Sequence, residues 1–266
     1  MRIKFLAALV SVVALAAVCS AQPGLPAAFQ KVGIDQKLNA QMPLETILVD
    51  ENGGTVRLGQ YFSDKPVVLA LVYYACPMLC NMVLNGTISA MQGMSLDPGK
   101  DYELVVVSFD ERETPPLAKA KKENYVRKYI EGNRPDPSKG MHFLTGNAVA
   151  VRKVAEAVGF HYAWDSMTNQ FAHASGIMVL TPQGKVSKYF YGIKYEPRDL
   201  RLGLVDASAR KIGSPVDKIL LYCYHYDPAT GKYGVVVMNI LRIGAAATVF
   251  ALGLFMMVWI KRERKA

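Results

Sequence analysis

Pro66-Val67-Val68-Leu69-Ala70-Leu71-Val72-Tyr73-Tyr74-Ala75-Cys76-Pro77-Met78-Leu79-Cys80 decides how this chain folds. From Pro66 to Tyr73 the run carries no charge and does not alternate. A strand with one wet face would alternate, so an unbroken apolar run predicts a central strand covered on both faces. Cys76 then opens a stretch from Pro77 to about Met91 that reads as helix, with Pro77 suited to its first turn.

Working outward from that unit, strands and helices alternate. Glu103 to Phe109 is a second buried strand, and residues 115 to 131 form a charged amphipathic helix opened by Pro115 and Pro116. Met141 to Leu144 reads as a short strand and Ala148 to Val158 as a helix ending at Gly159. Ile177 to Leu180, the turn Pro182-Gln183-Gly184-Lys185 and Val186 to Tyr191 make a hairpin, and Pro197 to Ile212 a final helix. On the N-terminal side, Glu45 to Asp50 and Thr55 to Leu58 flank Asn52-Gly53, a hairpin signal. Such an order indicates an α/β domain built on a mixed sheet.

Cys76 and Cys80 are two of only four cysteines in 266 residues. At i and i+4 a helix would set both sulfurs on one side, one turn apart. A helix N-terminus also offers unpaired N–H groups and the positive end of the dipole, and both favour the thiolate. The spacing is compatible with a disulfide, whose Cα atoms usually lie about 4.4–6.8 Å apart. Three uses therefore stand open for the pair: an inert bridge, a redox couple or a metal clamp. An inert bridge here would close only a short loop, where a cross-link gains least.

His173, in Phe171-Ala172-His173-Ala174-Ser175-Gly176, immediately precedes the strand Ile177 to Leu180. A loop at that sheet edge could face the cysteine helix. Two thiolates and an imidazole would form a ligand set suited to copper.

The two ends of the chain suggest export and anchoring. Residues 1–21 have a basic start (Arg2, Lys4), an apolar stretch from Phe5 to Val18 and small residues at Cys19-Ser20-Ala21, as a secretory signal does. Lipid modification at Cys19 is the alternative, and the bulky Val18 before it argues against that. Residues 22–42 carry Pro23, Gly24 and Pro26 and read as a linker or extended arm. Ile243 to Ile260 is uncharged and is followed by Lys261-Arg262-Glu263-Arg264-Lys265. We expect a transmembrane helix over 241–260 with residues 261–266 cytoplasmic. The main domain, 43–213, and a juxtamembrane extension, 214–240, would then face the extracytoplasmic (periplasmic) side. The formal charge of +9 is scattered and partly lies in the two ends. It suits an anionic lipid surface, and no arginine-rich arm or aromatic RNA-binding motif points to nucleic acid.

The blocks VVLALVYYACPMLCNMVLNG, VVVSFDERETPP and FAHASGIMVLTPQGKVSKYFYGI, within roughly residues 43 to 213, resemble the Sco/SenC family of copper-binding, thioredoxin-like proteins. The resemblance implies a thioredoxin-like mixed sheet flanked by helices. It also implies copper bound by Cys76, Cys80 and His173, and a role in loading the copper centre of cytochrome c oxidase. Asp110 matches an acidic position near the family's site. The family's motif usually carries an acidic residue and a second proline where this chain has Met78 and Asn81, a change that would alter copper affinity or reduction potential. The family's usual anchor is N-terminal, whereas here it is expected at the C-terminus.

Cys223 and His225, in Leu221-Tyr222-Cys223-Tyr224-His225-Tyr226, alternate along an expected strand and share one face. An auxiliary metal or redox site, with Met238 nearby, competes there with a buried free cysteine beside a surface histidine. A four-ligand zinc site from Cys76, Cys80, Cys223 and His225 would require the tail to fold back over the motif.

These readings lead to a membrane-tethered copper chaperone serving a membrane oxidase subunit or another cuproprotein. The alternative is a thiol–disulfide oxidoreductase with Cys76 attacking and Cys80 resolving, which keeps a partner's metal-binding cysteines reduced. A peroxiredoxin-like peroxidase fits less well, because the Thr-x-x-Cys arrangement is missing before Cys76.

Overall fold

The computed structural model describes residues 32–212, 226–227, 232–233, 243–253 and 255. Its central sheet has five strands in the order β10-β9-β4-β5-β6. They are β4 (Val67–Val72), β5 (Glu103–Ser108), β6 (Met141–Leu144), β9 (Gly176–Leu180) and β10 (Val186–Tyr191). Every residue of β4 is buried, as its unbroken apolar run requires. Each of its Val and Leu side chains contributes roughly 1.5–3 kcal/mol by leaving water.

Strands β4, β5 and β6 run parallel, from Val67 opposite Glu103 to Val72 opposite Ser108 and from Leu104 opposite Met141. Strand β9 runs antiparallel to β4, with Ala70 opposite Ile177 and Val67 opposite Leu180, and β10 returns antiparallel to β9. This mixed sheet flanked by helices is the thioredoxin-like architecture implied by the resemblance. Its register has one consequence for function. The end at which β4 and β5 leave the sheet is the end at which β9 enters it, so residues 73–80, 109–114 and 173–175 share one rim.

Among the described residues, four α-helices accompany the sheet: α1 (Leu79–Gln92), α2 (Pro115–Glu131), α3 (Ala148–Ala157) and α4 (Pro197–Ser208). Helix α1 buries Cys80, Val83, Leu84, Thr87, Ile88 and Met91 and lies between α2 and α4. Gly86 permits the close approach on the α4 side, since a Cβ there would lie 2.0 Å from the Ile193 carbonyl oxygen.

The hairpin near the N-terminus forms as expected, with β2 (Ile47–Val49) on β3 (Thr55–Arg57). A second hairpin, β7 (Phe160–Asp165) on β8 (Gln170–His173), was not anticipated. Its sequence alternates only weakly, and its turn holds Asn169 at φ 52° in place of a glycine. The expected arm of residues 22–42 is docked where it is described. Strand β1 (Gly33–Ile34) adds to β7, the Asp35 N–H donates to the Gly159 carbonyl at 2.8 Å, and Met42 is buried. Gly159, at φ 65°, would place a Cβ 2.0 Å from the Asp35 carbonyl oxygen, so a larger residue would block that docking.

Among the described residues no helix is long and apolar enough to cross a membrane. Of the expected transmembrane helix over 241–260, residues 243–253 and 255 are helical. The rest of it apart from residue 255, the signal segment 1–21, Cys223, His225, Met238 and the tail 261–266 lie outside the described residues. Tyr226–Asp227 and Lys232–Tyr233 form a two-residue antiparallel ladder.

Candidate metal centre

Cys76, Cys80 and His173 converge, with one ligand atom from each within 4.8 Å of the others. No other group of three or more His, Cys, Asp or Glu with this geometry occurs among the described residues. The sequence placed Cys76 at the mouth of a helix starting at Pro77. The structure corrects that start to Leu79, leaving Cys76 in the preceding turn and Met78 at the N-cap with φ −140° and ψ −76°. Pro77 lies in the turn as well, because the chain must still bend from β4 before helical dihedrals begin.

The electrostatic expectation survives that shift. The Cys80 N–H, in the first turn of α1, donates to the Cys76 sulfur at 3.3 Å. The Tyr73 N–H donates to the Cys80 sulfur at 3.3 Å. Neither cysteine is in a disulfide, and both are buried. Hydrogen bonding from the Cys80 thiol, opposed by burial and reinforced by His173 and nearby backbone N–H groups, pulls the Cys76 pKa down to about 3. Burial, then the hydrogen bond to Cys76, pushes the Cys80 thiol far up. The pair is thus one thiolate beside one thiol, a lopsided arrangement that holds a single negative charge in a small buried space.

His173 sits at the end of β8 and is partly buried. Its Nδ1 lies 2.8 Å from the Ala174 carbonyl oxygen, an acceptor only, so Nδ1 carries a proton and in the neutral ring Nε2 holds the lone pair. Nε2 faces the Cys80 sulfur at 3.2 Å. A neighbouring carbonyl thereby fixes the tautomer needed for a metal ligand. Phe109 and Tyr73 stand edge-on to the ring, with centroids 5.2 and 5.9 Å away, and limit its rotation. Burial, then a hydrogen bond to Cys76, raises the Tyr73 phenol pKa, keeping it a neutral donor.

Two supports went unseen in the sequence. Glu113 accepts the Tyr74 N–H at 2.7 Å, the Ala75 N–H at 2.6 Å and the Ser108 hydroxyl at 2.5 Å. One carboxylate therefore clasps the turn that delivers Cys76 to the end of β5. Asn81, noted only as a missing proline, donates from Nδ2 to the Cys76 carbonyl at 2.9 Å and accepts from Lys121 Nζ at 2.8 Å. A proline could do neither. Glu113 does lie inside the quoted VVVSFDERETPP block, but three acidic residues share that block and sequence alone does not say which one turns inward.

Asp110, expected as an auxiliary acidic residue, does not join the three ligands. It is buried, and Arg112 engages both of its oxygens, from Nε to Oδ1 and from Nη2 to Oδ2, each at 2.7 Å. The same guanidinium lies over Trp164 and Phe171, 4.6 and 5.4 Å from the ring centroids. Asp110 thus anchors an Arg–aromatic stack beside His173. The Cys223/His225 site and the zinc alternative fall outside the described residues.

The SCO1/SenC family model matches residues 37–201, more than half of the chain. No curated protein matches the sequence. Among solved structures, a proposed electron transfer protein from Aquifex aeolicus VF5 is similar with a TM-score of 0.57 and 23% identity, over 66% of this chain and 96% of that one. A SCO1/SenC family lipoprotein from Bacillus anthracis str. Ames gives 0.51 and 15%, over 65% and 98%. ScoI of Arabidopsis thaliana, solved with copper bound, gives 0.48 and 20%, over 62% and 95%.

Proposed function

This chain belongs to the SCO1/SenC family, and we propose that it is a membrane-tethered, extracytoplasmic copper chaperone that carries copper on Cys76, Cys80 and His173. The observation that carries the reading is the convergence of two sulfurs and one imidazole nitrogen within 4.8 Å. Two soft donors and one borderline donor favour copper over hard cations.

Copper is cargo in this reading, and each residue has a task in holding or releasing it. Cys76, already a thiolate, makes the first bond. Cys80 must give up its proton as the metal arrives, which couples loading to proton release. His173 needs no rearrangement, because the Ala174 carbonyl already holds Nε2 in its acceptor form. Three protein ligands leave a coordination position through which a recipient's ligand can enter before the donor lets go.

The recipient we propose is a membrane oxidase subunit or another extracytoplasmic cuproprotein. What supports it is membership of a family resembled through cytochrome c oxidase assembly, together with the uncharged run ending at Ile260 and the basic residues after it. A tether would raise the effective concentration of donor near a membrane-embedded recipient.

A second reading has its own supporting observation, the opposite pKa shifts of the two cysteines. A reductase needs one standing thiolate and one resolving thiol. In that reading Cys76 attacks a partner's disulfide and releases one partner thiolate. Cys80 then attacks the mixed disulfide, leaving Cys76–Cys80 oxidised and the partner fully reduced. His173→Ala separates the two: copper delivery to a recipient collapses in the first reading, and disulfide reduction persists in the second.

A further inference from the structure

Along α1 the exposed positions form one outward stripe of Met78, Met82, Asn85 and Ser89. The polar half of that stripe is ordinary surface. The other half is two large apolar side chains, Met78 at 66% and Met82 at 39% exposure, confined to the turn of helix that adjoins the cysteines. Sulfur donors occur at every second residue from 76 to 82, as Cys76, Met78, Cys80 and Met82. Cys76 and Cys80 are buried whereas Met78 and Met82 are exposed, so the thiols turn inward and the thioethers outward. The Met82 N–H donates to the Met78 carbonyl at 3.1 Å, closing the first helical turn between them. Residues four apart within a helix carry their Cβ atoms about 5–6 Å apart, and Met78, at the N-cap, stands one turn before Met82. Methionine side chains have three rotatable bonds and a polarisable sulfur, so two of them at this spacing can close on one soft cation.

We propose that Met78 and Met82 form an outer landing site for a monovalent soft ion, Cu(I), from which it passes inward to the thiols. The proposal rests on the copper reading for the metal's destination, though not for the thioether pair itself. A neutral thioether pair has no charge with which to hold Cu(II), Zn²⁺ or harder cations, and it binds Cu(I) more weakly than thiolates do. The site is therefore graded, with weak ligands outside and strong ones inside. Met78 is the step between them, two residues from each cysteine and at the N-cap, beside the turn that carries Cys76.

Silver(I) is a diamagnetic probe of the same softness. Its test is a titration of the full-length chain in detergent with every cysteine replaced by serine, followed through methionine methyl resonances. Met78 and Met82 should shift together on one isotherm, and Met78→Leu should remove the Met82 response. Met167, 89% exposed in the turn between β7 and β8, is a solitary thioether and should stay still at those concentrations. Silent Met78 and Met82 signals, a Met82 response that outlives Met78→Leu, or an equal shift at Met167 would each overturn the site. With the cysteines intact, Met78→Leu/Met82→Leu should slow copper uptake from a Cu(I)–chelator complex by about tenfold, through loss of a locally concentrated donor. An unchanged rate would overturn the landing role. Should the native chain take up no copper at all, the copper reading falls while the silver titration still decides the thioether pair.

Discussion

His173 Nε2 stands 3.2 Å from Cys80 Sγ across 93 positions of sequence. The sheet register brings them together: Ala70 of β4 faces Ile177 of β9, so the residues just after β4 and just before β9 emerge at the same rim. Any slip of β9 by one residue would reverse the faces of its side chains and carry the imidazole away from the thiols.

The first prediction concerns that contact. His173→Ala should lower copper affinity by at least the ~10–100-fold that loss of an outer-shell partner alone costs. The fold should persist, since the ring is only partly buried. Competition with a Cu(I) chelator measures the affinity, and circular dichroism checks the fold. Undiminished affinity would remove His173 from the ligand set.

A second prediction follows from Glu113. Glu113→Gln keeps the shape but leaves one oxygen to serve two backbone N–H groups and a hydroxyl. The lost charge-assisted bonds should cost about 1.5–3 kcal/mol in denaturant unfolding. They should also loosen the turn before Cys76, so copper affinity falls along with stability. A destabilised variant that binds copper as tightly as the native chain would make Glu113 purely structural.

The third prediction is a pH profile. An ordinary thiol with a pKa near 8.5 becomes several hundredfold (~10²–10³) more reactive between pH 5 and pH 8. Cys76, pulled down to about 3 by its bond from Cys80, is thiolate throughout that window, so its alkylation rate should be flat. The sign also extends to stability. A depressed acidic group favours the folded state above its unfolded pKa, and that contribution fades as pH falls from the unfolded value toward the folded one. Mass-resolved iodoacetamide labelling reads the profile. A rate climbing with pH as for a free thiol would show that Cys76 is not held as the anion.

The fourth prediction tests the placement of α1. Gly86→Ala would set a Cβ 2.0 Å from the Ile193 carbonyl oxygen, and backbone cannot yield as a side-chain tip does. Overpacking of this kind costs about 1–3 kcal/mol. Thermal unfolding should show a lower midpoint, and a midpoint equal to that of the native chain would mean α1 and the residues before α4 are not in this close contact.

Most of the sheet and the cysteine pair could be read from residue pattern, whereas the joining of His173 to that pair came from the family resemblance. The strand Met141–Leu144 and the helix Pro115–Glu131 stand where their apolar run and paired prolines put them. The hairpin of β7 and β8 was invisible because aromatics such as Tyr162, Trp164 and Phe171 stack on one another and on Arg112, a packing that period-two patterning does not encode. Helix α1 begins late because the turn must first satisfy Glu113, a demand from a residue 39 positions away from Tyr74. Asn81 shows the same limit. Its amide bridges the Cys76 carbonyl to Lys121 on another helix, and no local spacing announces a partner that far along the chain.

X-ray absorption at the copper edge of the loaded full-length chain tests the central claim most directly. Two sulfur scatterers and one imidazole nitrogen, at one copper per chain, are the expected first shell, with the nitrogen lost in His173→Ala. A shell without nitrogen, or copper that remains bound after both Cys76 and Cys80 are changed to serine, would contradict it.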